Sequence, residues 1–205
     1  MRLELVTAPA VEPLTLAEAK EHLRVETDFT KDDNLITNKI KTAREKVESM
    51  AKQSLINTTF DFFLDGWPGT RVYRDRVPDG PGRYWGRVIE LPVCPLVSVT
   101  TITYLDASDT EQTLSPSTYR VSTGKPGIIT LKRSESWPTA PIQTDAIRVR
   151  YVAGYGATGA SVPSCLKDAM LYALGCLYEN RGEEDAAMSR IVRDLIAPAL
   201  CGRRP

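Results

Sequence analysis

Glycine and proline are distributed so unevenly that they divide the chain into three blocks. Leu14 to Leu55 contains neither residue, Thr58 to Val162 contains ten glycines and nine prolines, and Ser164 to Ala197 contains only Gly175 and Gly182. Helix interiors exclude both residues, whereas the turns between short strands require them. The chain therefore predicts an α+β fold: a helical bundle of two N-terminal and two C-terminal helices with an inserted antiparallel β-region. The boundaries read as 1–57 for the N-terminal helices, 58–162 for the β-rich insertion, and 163–205 for the C-terminal helices and a basic tail, together one composite domain. A chain of 205 residues is long enough to bury a substantial core.

The stretch LTLAEAKEHLRVETDFTKDDNLI, Leu14 to Ile36, carries two helix starts. Thr15 precedes Glu18 by three, the spacing at which each side chain satisfies the other's free backbone N–H. Leu16, Ala19 and Leu23 then share a face. Thr30 precedes Asp33 by three, and Asp32 and Asp33 sit in a first turn, where the helix dipole favours negative charge. The second helix is expected to run to about Gln53. Its Ile36, Ile40, Ala43, Val47 and Met50 form a heptad-like seam for another helix. Lys39, Lys41, Arg44, Glu45, Lys46, Glu48 and Lys52 read as a solvated face. After Pro163, CLKDAMLYALGCLYENR is apolar on nearly every side, so it belongs in the core or against another subunit. Gly182 suits its C-cap. A last helix, SRIVRDLIA, pairs Ile191 with Leu195 and Val192 with Ile196, and Pro198 limits it.

The middle block alternates as strands do. Phe60, Phe62 and Leu64 share one face. Val97, Val99, Thr101, Thr103 and Leu105 oppose Ser98, Thr100, Ile102 and Tyr104. Ile147, Val149 and Tyr151 oppose Arg148 and Arg150. The turn DASD leads to TEQTL, and YRV with GIITLK makes a second hairpin. Between the first strand and the rest lies Gly66 to Arg87, which interleaves Arg71, Arg74, Arg76, Arg83 and Arg87 with Tyr73, Tyr84 and Trp85. Such a composition grips phosphates and bases, is enriched at protein–protein hot spots, and also occurs in plain solvated loops.

Reactive chemistry is sparse. Lys+Arg and Asp+Glu each total 26, so the net charge is zero and gives no general affinity for nucleic acid or membrane. The four cysteines form no CxxC pair, which disfavours zinc, and free thiols in a reducing compartment are the default. The N-terminus lacks an apolar signal region, and the longest apolar run, Ala169 to Tyr178, is far short of the ~20 residues that span a bilayer. A soluble intracellular protein is expected. His22 has no nucleophile motif to serve and reads as a surface or edge-of-core residue. Asp32 and Asp33, adjacent on a helix, point about 100° apart and do not form a paired site. AGYGATGAS, Ala153 to Ser161, lacks both phosphate-loop signatures and reads as a β-to-α turn. Cys165 lies near a helix N-terminus but reads as a buried or incidental thiol.

The order of these pieces resembles the head–tail connector (adaptor) proteins of tailed double-stranded DNA phages, in their longer form with a β-rich insertion. The resemblance rests on LTLAEAKEHLRVE, DDNLI and the long charged helix, then LPVCPLVSVTTITYLD, Trp137–Pro138, VRYVAGYG and VPSCLKDAMLYALGCLYENRG. It implies a structural virion protein at the head–tail junction, assembled in the host cytoplasm, without catalysis, metal or cofactor. It implies a homo-oligomeric ring, a dodecamer, beneath the portal protein, with DNA passing non-specifically through its channel. The next head-completion, stopper or tail protein would bind below; no membrane is involved. The arginine–aromatic loop would face the channel or a partner, and Arg193, Arg203 and Arg204 become candidate portal contacts. Two alternatives remain open from the residues: a DNA-binding module using that loop, and a small hydrolase or thiol enzyme using His22 or Cys165.

Overall fold

The computed structural model describes residues 1–69, 85–179 and 186–200. The chain divides into two compact units. One joins residues 1–8 to 58–153 and is made of strands; the other joins 9–57 to 154–205 and is made of helices.

Four α-helices are present among the described residues of the helical unit: α1 (Leu16–Leu23), α2 (Asp33–Ala51), α3 (Ser164–Glu179) and α4 (Ala186–Ile196). The capping box of α1 forms as its spacing predicts. Thr15 Oγ1 accepts from the Glu18 N–H at 3.2 Å, and Glu18 Oε2 accepts from the Thr15 N–H at 2.7 Å. The Thr15 backbone and hydroxyl donors hold the Glu18 carboxyl below its usual range.

The start of α2 departs from expectation. Its N-cap is Asp32, without a side-chain cap bond, and Thr30 lies outside the helix with its carbonyl accepting from the Asp33 N–H. The two carboxylates serve tertiary contacts instead: Asp32 accepts from the Tyr178 hydroxyl at 2.7 Å, and Asp33 pairs with Lys20 at 2.6 Å.

The seam on α2 is the spine of this unit. Ile36, Ile40, Ala43 and Val47 are at most 2% exposed, Met50 is half-buried, and Ala51 completes the stripe. Against it α3 sets Leu166, Ala169, Met170, Ala173, Leu174 and Leu177, and α4 sets Met188, Val192 and Ile196. The flanks of α3, including Leu171, Tyr172, Cys176 and Tyr178, are half-buried against the same core. Each large aliphatic side chain so buried contributes about 1.5–3 kcal/mol.

One member of the supposedly solvated charge face is buried. Arg44 is 6% exposed because it follows Ile40 by four and shares its face. Its guanidinium donates to Glu12 at 2.8 Å and Glu48 at 2.7 Å, and Glu48 also accepts from the Leu55 N–H at 2.8 Å. Burial raises the Glu48 carboxyl above its usual range, against the pull of Leu55 and Arg44.

Among its described residues the other unit holds two antiparallel sheets. The larger has strand order β1-β2-β8-β4-β5: β1 (Arg2–Thr7), β2 (Thr58–Leu64), β8 (Ile147–Ala153), β4 (Leu96–Leu105) and β5 (Glu111–Thr113). The smaller has order β3-β7-β6: β3 (Val88–Glu90), β7 (Ile128–Leu131) and β6 (Tyr119–Ser122). Both expected hairpins form, β4 with β5 and β6 with β7. β8 alternates as read, with Ile147, Val149 and Tyr151 buried, and Arg150 forks onto Asp61 directly opposite at 2.8 and 2.7 Å. β4 does not keep its expected alternation. Register shifts against β8 at Leu96/Ser98 and Val99/Thr101 re-phase the strand, so Leu96 and Ile102 reach the core and Val97 is exposed. β1 has no counterpart in the sequence expectations.

Because Glu18 titrates below its ordinary range when folded, the capping box contributes fully above the unfolded glutamate pKa and fades as pH falls through the folded value. Thr15→Ala should cost about 1 kcal/mol at neutral pH, read as a lower urea midpoint, and the deficit should shrink in acid. An undiminished deficit below the glutamate range would contradict this role.

Candidate interface surfaces

The arginine–aromatic loop is rooted in the strand unit. Trp67, 4% exposed, stacks on Trp137 with ring centroids 4.5 Å apart and planes 7° from parallel. The Trp137 indole N–H donates to the Gly86 carbonyl at 2.8 Å. Gly69 has φ +91°, and a Cβ there would stand 3.0 Å from the Gly86 Cα. Residues 69 and 86 are thus adjacent, and the intervening segment leaves and returns at one place. Arg87 belongs to this root: its guanidinium donates to the carbonyls of Lys132 and Glu135. Trp85 opens a short 3-10 turn, Trp85–Arg87. Arg71, Tyr73, Arg74, Arg76, Arg83 and Tyr84 lie outside the described residues.

Helix α4 turns Arg190, Arg193 and Asp194 outward, with Ile191 39% exposed, while Met188, Val192 and Ile196 face the core. Spacing alone pairs Ile191 with Leu195; the fold leaves Ile191 in solvent. A 3-10 turn follows, Ala197–Ala199. It is tied down by a short chain of hydrogen bonds: Tyr155 Oη donates to Gln53 Oε1, and Gln53 Nε2 donates to the Ala199 carbonyl. Burial, helped by Cys165, pushes the Tyr155 hydroxyl up to about 12. Arg203 and Arg204, like the expected C-cap Gly182, lie outside the described residues.

The turn between α1 and α2 is organised by a residue that sequence reading passes over. Lys20, 4% exposed, pairs with Asp33 and donates to the carbonyls of Thr27 at 3.2 Å and Phe29 at 2.9 Å. Its signal is weak but present: Lys20 follows Leu16 by four and adjoins Ala19, at the margin of the apolar stripe. His22 is exposed and takes no part. Asp32 and Asp33 point to different partners, Tyr178 and Lys20, and do not converge.

AGYGATGAS is a close-packed turn. Gly154 has φ +151°, with a would-be Cβ 2.6 Å from the Asn57 nitrogen, and a Cβ on Gly159 would lie 2.2 Å from the Pro13 carbonyl oxygen. Backbone approach, not phosphate binding, accounts for these glycines. Cys165 and Cys176 carry free thiols and are half-buried, whereas Cys94 is disulfide-bonded, which corrects the free-thiol default at that position. Pairing is set by the fold and is not readable from cysteine spacing. Among the described residues no three His, Cys, Asp or Glu side chains gather as a metal site, and no helix is long and apolar enough to cross a membrane.

No curated protein matches the sequence. A family model does. Residues 13–79 match the phage gp6-like head-tail connector proteins. That segment holds α1, α2, β2 and the start of the arginine loop. Three solved structures share the fold across the whole chain, each at 24% identity and covering 100% of this chain and 98% of the other. They are a chain from the neck of an empty GTA particle computed with C6 symmetry (TM-score 0.78), one from the virion of a native gene transfer agent particle (0.77), and one from the neck of a native GTA particle computed with C12 symmetry (0.75). The connector resemblance seen in the sequence is thereby met by a family match at the N-terminal helices and by the fold throughout.

Lys20→Met should remove the turn's organising cation and lower stability by about 2–3 kcal/mol, with the added hydrogen exchange confined to residues 24–33. Unchanged stability would show that the buried ammonium is dispensable.

Proposed function

We propose that this chain is a structural, non-enzymatic head–tail connector of a tailed phage or phage-like particle. The observation that carries the reading is the coincidence of the family match over residues 13–79 with a whole-chain likeness, at a TM-score of 0.78, to a neck structure. In this reading copies of the chain form a ring, a dodecamer, beneath the portal protein. DNA passes through the ring, and the next head-completion, stopper or tail protein binds below. Zero net charge suits a channel wall, because each phosphate contact adds salt-sensitive affinity that would hold the DNA. Electron microscopy of the protein mixed with its portal should show a ring at the portal's outer face; binding without a ring, or no binding, would overturn the reading.

Arg193 on α4, with Arg203 and Arg204 beyond it, is the proposed portal contact. Arg71, Arg74, Arg76 and Arg83 are proposed to face the channel or the next ring, while Arg87 is committed to the loop root. The tail must be tested by a short truncation. Leu195 packs on the helical core, where Ile196 is 1% and Ala199 9% exposed, so removing residues 194–205 would unfold the unit. Deleting Gly202 to Pro205 should leave the melting temperature unchanged and weaken portal binding by about tenfold or more. Full binding by this truncated chain would remove Arg203 and Arg204 from the contact.

A further inference from the structure

Three segments of the helical unit, far apart in the sequence, meet at one buried side chain, Gln53. It lies just beyond α2 and is 2% exposed. Lys52 before it turns the chain with φ 54°, and the Gln53 backbone N–H donates to the Glu48 carbonyl at 3.1 Å. Both ends of its amide are used. Oε1 accepts from the Tyr155 hydroxyl, in the turn between β8 and α3, and Nε2 donates to the carbonyl of Ala199, in the turn after α4 and 146 residues away. Ala199 offers only an acceptor, so the amide N–H must face it, and the amide oxygen is left for the Tyr155 hydroxyl, which can donate. Tyr155 is itself fixed, its backbone N–H donating to the Leu55 carbonyl at 3.4 Å.

The last carbonyls of a helical segment have no partner within it and are met by a local cap or by water. Chain ends fray unless something ties them down. Here the tie reaches across the helical unit. Ala199, 9% exposed, closes the 3-10 turn Ala197–Ala199, and Leu200 packs against the same core. The chain therefore leaves this unit at a fixed place, and the residues next in sequence include Arg203 and Arg204. The bond is made to a backbone carbonyl, so it fixes the path of the chain whatever side chains follow. We propose that Gln53 is a positioning residue for the portal contact, setting the point from which the C-terminal segment leaves the helical unit. The inference rests on the portal reading above and adds a buried residue that acts on that contact without touching the portal.

The test is a double-variant cycle on portal affinity, with the full chain, Gln53→Met, the chain lacking Gly202 to Pro205, and the two changes combined. Methionine keeps the length of the side chain and loses both hydrogen bonds. Hydrogen exchange at residues 197–200 reports the tie directly and should rise in Gln53→Met. In the full chain this variant should weaken portal binding by at least about fivefold. In the shortened chain it should change nothing further, because changes that act through one contact are not additive. An equal loss in both chains would show that Gln53 only supports the fold and would overturn the inference. A shortened chain that binds less, with Gln53→Met binding as wild type, would also overturn it and leave the tail's contact standing. A shortened chain that binds as wild type would overturn the tail's contact and the positioning role together. Should Gln53→Met not fold, Tyr155→Phe, which removes the donor that holds the amide, takes its place in the cycle and the same outcomes decide.

Discussion

The packing of α2 on α3 is the interaction from which the rest of the helical unit follows. The stripe from Ile36 to Val47 meets Leu166 to Leu177, with Ala43, Ala169 and Ala173 among the contributors. Small side chains in such a seam let helix backbones approach closely. Once that seam is set, the neighbouring polar groups must be satisfied in place. Arg44 lies on the buried face and is matched by Glu12 and Glu48. Lys20 meets the start of α2 through Asp33, and Tyr178 at the end of α3 reaches Asp32. The helix ends are thus fixed by charge-assisted bonds whose geometry exists only because the apolar stripe is already aligned.

Much of this was legible in the residues. The glycine–proline partition separated helical from stranded segments, and the Thr15–Glu18 spacing located a helix start to the residue. The period-four and period-three steps on α2 named its core. Failures came where a tertiary partner outranked a local rule. Thr30, Asp32 and Asp33 satisfy the pattern of a second cap, but Tyr178 and Lys20 claim the carboxylates. Arg44 looks solvated by composition, yet its spacing from Ile40 puts it inside. Strand β4 was phased by strict alternation, and two register shifts cannot be read from a run of Val, Ser and Thr. RLELVT does alternate, but a lone run of six residues is compatible with strand or with a disordered lead-in.

The functional surfaces were legible to a different degree. Composition singled out the arginine–aromatic segment, but not the side chains that hold its ends. Trp67 and Trp137 are 70 residues apart in sequence, and nothing local announces that they stack. Arg87 was grouped with the loop's other arginines by proximity, whereas its hydrogen bonds make it part of the scaffold. Polar residues that invited a catalytic reading, His22 above all, meet no convergent reactive groups among the described residues. A surface made for assembly leaves a fainter trace in one sequence than an active site does, since it asks for shape and exposure and not for particular reactive groups.

The joined root at Gly69 and Gly86 has an evolutionary consequence. A segment whose two ends are already held together adds little closure entropy as it grows, only about 0.6 kcal/mol for each doubling of its length. The strand unit can therefore accept longer, shorter or wholly different inserts at that point while its Trp67–Trp137 clamp and both sheets stay as they are. Whatever the segment touches, its sequence can be exchanged like a cartridge without redesigning the part that carries it.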